Sequence, residues 1–406
     1  MPSYFYKAKA KSGETKSGLL QAGNTSQLAS KLKKRGLVII EAVLEKDKKK
    51  KMEMNISLPF LNSVSLTDKM MMTRNLKVMV SAGLPLSRSL TILANQTRNS
   101  KLKKALIDIE KEISKGNSFS DTLTKYPDIF SDLFCSMVSV GEESGTMESV
   151  LEMLALQLEK DHELKSKIQG AMIYPAVIMV AMVGIGILML VTVVPQIANT
   201  FKELGVELPA MTQFIMSLGT FLAAKWYLLV IGLILFVISI IAFWKTKEGR
   251  RFFDLMFLKL PIISPVVKKT NAAVTVRTLS SLIGAGVPIV RSIEIVAGVV
   301  SNVFFKEAMN EAVQRVREGV DLSSVLGDYE NLYPNNVIQM LKVGEETGET
   351  SKILSKLADY FEEEVGNATE NMAAMIEPVL MIFIGIVVGF FAVSMIEPMY
   401  SVLDSI

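Results

Sequence analysis

One interval governs this chain. Arg74, Gly83, Pro85, Arg88, Gly116, Gly141 and Gly145 recur as Arg277, Gly286, Pro288, Arg291, Gly319, Gly344 and Gly348, each pair 203 residues apart. The register continues without a gap, so that Pro175 and Pro195 become Pro378 and Pro398. Glycines and prolines fix backbone conformation, and holding so many of them in one register requires a duplicated domain. The chain of 406 residues is therefore one unit written twice, with a distinct segment ahead of it.

Each copy reads as helical. Leu76, Met79 and Val80 lie at helical spacing before Ala82-Gly83-Leu84-Pro85, and Leu282 precedes the matching Ala285-Gly286-Val287-Pro288. In both turns, glycine ends one helix at positive φ and proline suits the start of the next. Between Leu102 and Ile113 the apolar residues Leu102, Ala105, Leu106, Ile109 and Ile113 share one face. Gly116 ends that segment, and Ser118 or Ser120 can cap the short helix that follows. No strand-like alternation occurs, so each copy is expected to be a multi-helix bundle. Its last helix, from about Met147 or Ser351, runs on into an apolar stretch and would carry a push or twist into it.

Three uncharged stretches interrupt a chain that is otherwise 21% charged and has a mean hydropathy of +0.36. Lys167 and Lys202 bracket 34 uncharged residues (168–201), Lys225 and Lys245 bracket 19 (226–244), and Glu377 and Glu397 bracket 19 (378–396). The first alone is roughly 50 Å as helix, against a hydrocarbon core of roughly 30 Å. These are read as membrane spans over residues 171–195, 226–244 and 378–397. Basic residues set their orientation. Lys245, Lys247, Arg250, Arg251, Lys259, Lys268 and Lys269 follow the second span, whereas only Glu397 and Asp404 flank the third on its far side. The amino terminus and middle domain are expected inside, and residues 196–225 and the tail 398–406 outside.

The segment ahead of the repeat differs. Tyr4, Tyr6, Ala8 and Ala10 alternate with Phe5, Lys7, Lys9 and Lys11, and Ser12-Gly13-Glu14 makes a turn before Leu19-Leu20. Asn24 or Thr25 starts a helix with Leu28 and Leu32 inward, Gly36 ends it, and Leu37-Val38-Ile39-Ile40 reads as a strand. The fold class is thus mostly α: a duplicated helical bundle with three transmembrane helices and a small N-terminal α+β module. In order, the expected parts are the module (1–45), a basic linker (46–65), the first bundle (66–168), a basic connector (245–268) and the second bundle (269–375). The run Lys46-Asp47-Lys48-Lys49-Lys50-Lys51 is a solvated linker or an attractor of anionic lipid heads. Met1 to Lys7 lacks the apolar region of a signal peptide.

Catalytic chemistry has little to work with. Cys135 is the only cysteine and lies in an apolar run, read as a small core residue; His162 is the only histidine, flanked by Asp161 and Glu163, read as a surface residue. There is no phosphate-binding loop, nucleophile elbow or paired-histidine metal motif, so no enzyme activity, metal or cofactor is expected. What stands out is Gly141-Glu142-Glu143-Ser144-Gly145, repeated as Gly344-Glu345-Glu346-Thr347-Gly348. One reading makes it a helix end, with Gly145 and Gly348 as turn glycines that end one helix, Ser144 or Thr146 capping the next, and the acids complementing that next helix's positive end. The other adds a partner for Glu142, Glu143, Glu345 and Glu346, because two acids exceed what a helix end needs. Glu377, before Pro378, is a membrane-edge candidate.

The tyrosine-rich first strand, Arg35-Gly36-Leu37, both Ala-Gly-x-Pro turns, both Gly-Glu-Glu-x-Gly motifs and Glu377-Pro378 together resemble the type II secretion F-protein family, PilC-type pilus platforms included. The resemblance covers essentially the whole chain. It implies a non-enzymatic protein of the bacterial inner membrane with a cytoplasmic amino terminus. Implied partners are a hexameric cytoplasmic ATPase, pilin or pseudopilin subunits, other inner-membrane assembly proteins and further copies of itself, with no nucleic acid. ATPase strokes would shift or rotate the platform and lift pilins into a fibre. A small transporter or channel, or a membrane-tethered scaffold outside pilus biology, are the alternatives. The charge-free spans count against the former.

Overall fold

Among the described residues seven glycines have φ between 72° and 92°, and six of them form three pairs 203 residues apart. The computed structural model describes residues 3–10, 15–23, 25–34, 36–44, 63–193, 195–196 and 210–403. Most of the expected linker 46–65, the Ser12-Gly13-Glu14 turn, Asn24, Arg35, and parts of 196–225 and 398–406 lie outside the described residues. Two units, Met1–Ser63 and Val64–Ile406, make up the chain.

In the first unit, β1 (Ser3–Ala10) pairs antiparallel with β2 (Thr15–Gln21) on one side and β3 (Leu37–Leu44) on the other. Helix α1 (Thr25–Lys33) buries Leu28 and Leu32 beside Tyr4 and Ala22.

The second unit opens at α2 (Leu66–Ser81), where Ser65 and Asp68 form a reciprocal capping box. Then follow α3 (Leu86–Gln96), α4 (Ser100–Ser114), α5 (Phe119–Thr124), α6 (Asp132–Ser144) and α7 (Met147–Leu188), which ends in a π-helical turn at Met189–Val193. Next come α8 (Ala210–Lys245), kinked at Lys225, and α9 (Lys247–Lys259). The second copy is α10 (Ser264–Gly284), α11 (Ile289–Val299), α12 (Val303–Arg317), α13 (Leu322–Gly327), α14 (Asn335–Thr347) and α15 (Thr350–Leu403). From α3 to α6, every start and end recurs 203 residues later in α11 to α14.

The causes recur as well. Gly83 and Gly286 close α2 and α10 at positive φ, the next residue's N–H reaching back to Met79 O (3.0 Å) and Leu282 O (2.9 Å). Ser89 and Ser292, both buried, each donate their hydroxyl to the proline carbonyl one turn earlier at 3.1 Å.

The expectation of one bundle per copy needs amending. A single continuous core runs from Met72 through Leu154 to Phe361, so the copies are fused. The first helix of each packs on the last, α2 on α7 and α10 on α15, while α7 and α15 pack on each other and α11 packs on α6. Cys135 is buried there, its thiol pushed up to about 11 by burial. It is a core residue and not a thiolate at neutral pH.

Two helices, over Met147–Val193 and Thr350–Phe390, are long and apolar enough to cross a membrane. Their distal halves expose large apolar side chains such as Val180 and Ile382, and α8 does the same from Ile231 to Trp244. Surfaces of this kind are satisfied by lipid or by other helices, not by water.

Candidate functional site

The two Gly-Glu-Glu-x-Gly segments sit where α6 meets α7 and where α14 meets α15. Each of the five positions has its own task.

Gly141 and Gly344 lie within their helices, both buried inside α6 and α14. A side chain is excluded there because the next helix crosses too closely. A Cβ on Gly141 would lie 2.9 Å from Val150 Cγ2, and one on Gly344 would lie 3.0 Å from Thr350 Cα. The helices end at Gly145 and Gly348, each with φ 72°.

The first acids do not serve the helix that follows. Glu142 reaches back to α5, where its carboxylate accepts from Phe119 N (2.7 Å), Ser120 N (3.0 Å), Ser118 Oγ (2.7 Å) and Ser120 Oγ (2.9 Å). Glu345 accepts from Leu322 N (2.8 Å) and Ser323 N (3.2 Å) at the start of α13. These N–H groups have no intrahelical partner, and a carboxylate suits the positive end of a helix. Burial raises the Glu142 pKa, but the Ser120 and Phe119 backbone bonds and the two serine hydroxyls outweigh it, leaving the carboxyl below its ordinary range. Ser118 caps α5 as expected of it or Ser120. Ser144 and Thr146 do not cap α7: Ser144 Oγ donates back to Val140 O at 2.6 Å, and Thr347 Oγ1 does the same to Val343 O at 2.7 Å.

The second acids are left over. Glu143 and Glu346 are exposed on the outer faces of α6 and α14. Glu143 accepts from Ser139 Oγ at 3.0 Å, and Glu346 lies 4.0 Å from Lys342 Nζ. Ser139 and Lys342 are equivalent positions, so the first copy's outer acid keeps its charge uncompensated by a neighbour on its own helix. Each pair therefore splits into one acid with an internal task and one facing outward.

A third charged group escaped sequence reasoning. Arg277, buried in α10, donates to Glu362 Oε1 (2.7 Å) and to Asp359 of α15, and Lys160 of α7 lies 3.6 Å from the same Glu362. The network ties the first copy's long helix to the second copy. Its one sequence signal was the Arg74–Arg277 pair, and Arg74 is exposed. Nearby, Ser281 Oγ donates to Gln157 Oε1 (3.0 Å), and Gln157 Nε2 to Asp161 Oδ1 (3.1 Å). Burial, with Glu362 adding to it, pushes the Asp161 carboxyl up to about 6.

Glu377 is half-buried on α15 and makes no hydrogen bond or ion pair among the described residues. His162 is half-buried on α7. No cluster of His, Cys, Asp and Glu among the described residues has the makings of a metal site.

The duplicated, helix-rich architecture and its paired motifs coincide with a known family. The model for the type II secretion system (T2SS), protein F, matches residues 72–195 and again 275–398, and that for the type II secretion system protein F N-terminal domain matches residues 1–43. The chain belongs to the type II secretion system protein F family. It is similar to the type IV pilus assembly protein PilC of Myxococcus xanthus, at 34% identity over 404 residues, covering 99% of this chain and 95% of the relative. PilC of Thermus thermophilus is 34% identical over 408 residues, covering 100% and 99%. The type II secretion system protein F of Vibrio cholerae is 32% identical over 399 residues, covering 98% of each. In keeping with a family of assembly and secretion proteins, the chain is not an enzyme.

Proposed function

We propose that this chain is an inner-membrane platform that couples a cytoplasmic assembly ATPase to the polymerisation of pilin or pseudopilin subunits. The names of its relatives supply the type of machinery. The observation that carries the coupling is the outward acid of each motif. Glu143 and Glu346 have no part in holding the helix end, yet each stands one turn before a long helix that becomes apolar further along. A partner bound there would pull directly on the helices that enter the bilayer. In this reading the chain crosses the membrane three times, at 171–195, 226–244 and 378–397, with the bundles in the cytoplasm and the carboxyl terminus outside. The basic residues after α8 support that orientation.

Charge reversal tests the docking surface. Exposed charges govern encounter rate and salt sensitivity more than folding. Glu143→Lys and Glu346→Lys should weaken capture of the ATPase in a pull-down at low salt, with a smaller difference at high salt, at unchanged membrane level and helical content. Normal binding by both variants would refute the docking surface. For the topology, a phosphatase fused after Ile406 should be active, and one inserted near Asn271 inactive.

A further inference from the structure

A cavity lies where the long helices leave the bundle. It has a volume of about 720 Å³. Ile168 and Met172 of α7, Phe257 of α9 and Met372 of α15 line it, so its walls are mostly apolar. Two cations also line it: Lys245, the last residue of α8, and Arg250 in the first turns of α9. The Thr270 hydroxyl on its wall is buried and has no hydrogen-bond partner.

The acid beside these cations is already engaged. Asp254 accepts from Val303 N at 2.8 Å and so caps α12, and its carboxylate lies 4.0 Å from Arg250 Nε. Arg250 also donates to Ser301 O at 2.7 Å, which holds its guanidinium in place. Lys245 makes no hydrogen bond or ion pair among the described residues.

Helix α9 shows what surrounds the site. Its sequence is amphipathic, with Lys247, Arg250, Arg251 and Lys259 on a helix that also exposes Phe252 (59%) and Leu255 (39%). Trp244 packs against Phe253 and Phe257 in tilted arrangements at centroid distances of 5.5 and 6.2 Å. A basic amphipathic helix with an aromatic cluster, joined to the end of an apolar one, is built to lie in the head-group layer of a membrane.

We propose that this cavity binds one anionic phospholipid of the surrounding bilayer. Lys245 and Arg250 would take its phosphate, the Thr270 hydroxyl an oxygen of the head group or glycerol, and the apolar walls the upper part of an acyl chain. A soluble anion would leave those walls unfilled, and a zwitterionic lipid would leave the two cations partly unanswered. The site rests on the membrane placement proposed above. The phosphatase fusions test that placement and lipid counting tests this site, so either can fail alone.

The experiment uses the full chain in detergent, titrated with phosphatidylglycerol or phosphatidylcholine and followed by native mass spectrometry. One phosphatidylglycerol per chain should be retained in preference to phosphatidylcholine. Lys245→Gln should weaken that binding about fivefold, the effect of one basic residue near an anionic head group. Val267→Trp, which fills the cavity and leaves both cations, should abolish it. Lys245 is exposed, so its variant keeps the fold and decides the matter even if Val267→Trp does not express. Equal retention of the two lipids by the wild type, or unchanged phosphatidylglycerol binding in Lys245→Gln, overturns the proposal.

Discussion

In the first copy Arg74 stands in solvent; in the second its counterpart Arg277 is buried between Glu362 and Asp359. The equivalents of those acids in the first copy are Glu159 and Leu156, both exposed. Asp161 and Glu364 show the same divergence. Glu364 has Lys269 at 2.6 Å, whose hydrogen bond chiefly holds the carboxyl below its ordinary range. The position equivalent to Lys269 is Leu66, and Asp161 is driven up instead. Features that depend on the backbone alone, such as the glycine turns, are shared by both copies. Features that depend on what lies next door are not, because α10 and α15 form the centre of the fused core and α2 forms its flank.

The largest test of this contrast is Arg277→Ala against Arg74→Ala. Removing one partner of a buried ion pair costs about 3 kcal/mol or more, whereas an exposed arginine is worth under about 0.5 kcal/mol. Thermal unfolding in detergent should show a large fall for the first and almost none for the second. Equal falls would mean that the copies carry load alike.

Next in size are the capping acids. Glu345→Ala should cost about 2 kcal/mol, since the N-cap Asp321 makes no side-chain capping bond and Glu345 is the carboxylate that takes the Leu322 and Ser323 N–H groups. Glu142→Ala should cost nearer to about 1 kcal/mol, because Ser118 still caps α5 and solvent screens the site. The folded pKa of Glu142 lies below its ordinary value. Its contribution is therefore present above that ordinary value and lost as pH falls through the folded one. Chemical denaturation of wild type and Glu142→Ala at neutral and acidic pH should show the gap narrowing under acid.

Alanine at the crossing glycines sharpens the comparison further. At Gly344 the obstacle is backbone, Thr350 Cα at 3.0 Å, and the loss should be about 1–2 kcal/mol. At Gly141 the obstacle is buried Val150, its Cγ2 at 2.9 Å and its Cβ at 3.0 Å, and the loss should likewise be about 1–2 kcal/mol. Midpoints of denaturation should fall by similar amounts for the two variants.

The smallest effect has the opposite sign. With a folded pKa of about 6, above the ordinary 3.8, Asp161 contributes stability that is full below the ordinary value and lost as pH rises through about 6. Asp161→Asn should therefore stabilise the protein at neutral pH, by about 1 kcal/mol at a half-buried site, and do nothing near pH 3. Glu364→Gln should destabilise slightly at neutral pH, because its folded pKa is lowered. Unfolding temperature against pH for both variants checks the pair.

Much of this was legible because local rules wrote it. The Ala-Gly-x-Pro turns, the α4 face of Leu102, Ala105, Leu106 and Ile109, and the core position of Cys135 follow from spacing and residue type, and the structure has them. What sequence reasoning missed depends on residues brought together from far away. The need for glycine at Gly141 is not written locally, because nothing nearby in the sequence reveals that α7 crosses over it. Glu142 looked like a partner for the next helix, yet the N–H groups it serves are 22 and 23 residues earlier. Arg277 has partners 82 and 85 residues away, in a helix whose first-copy equivalent offers it none.

The prolines inside the two longest helices have a mechanical consequence. Pro175 and Pro378 stand at the same distance from the first residues of α7 and α15, about 42 Å along each axis. A proline has no N–H to give, so the carbonyls of Ala171 and Ala374 lose their helical partner and each helix is softest there. At the other end of each arm is a glycine in the left-handed conformation, Gly145 or Gly348. Up to those prolines both arms are held by the fused core, so bending at Pro175 and Pro378 would move the apolar distal halves against a fixed base.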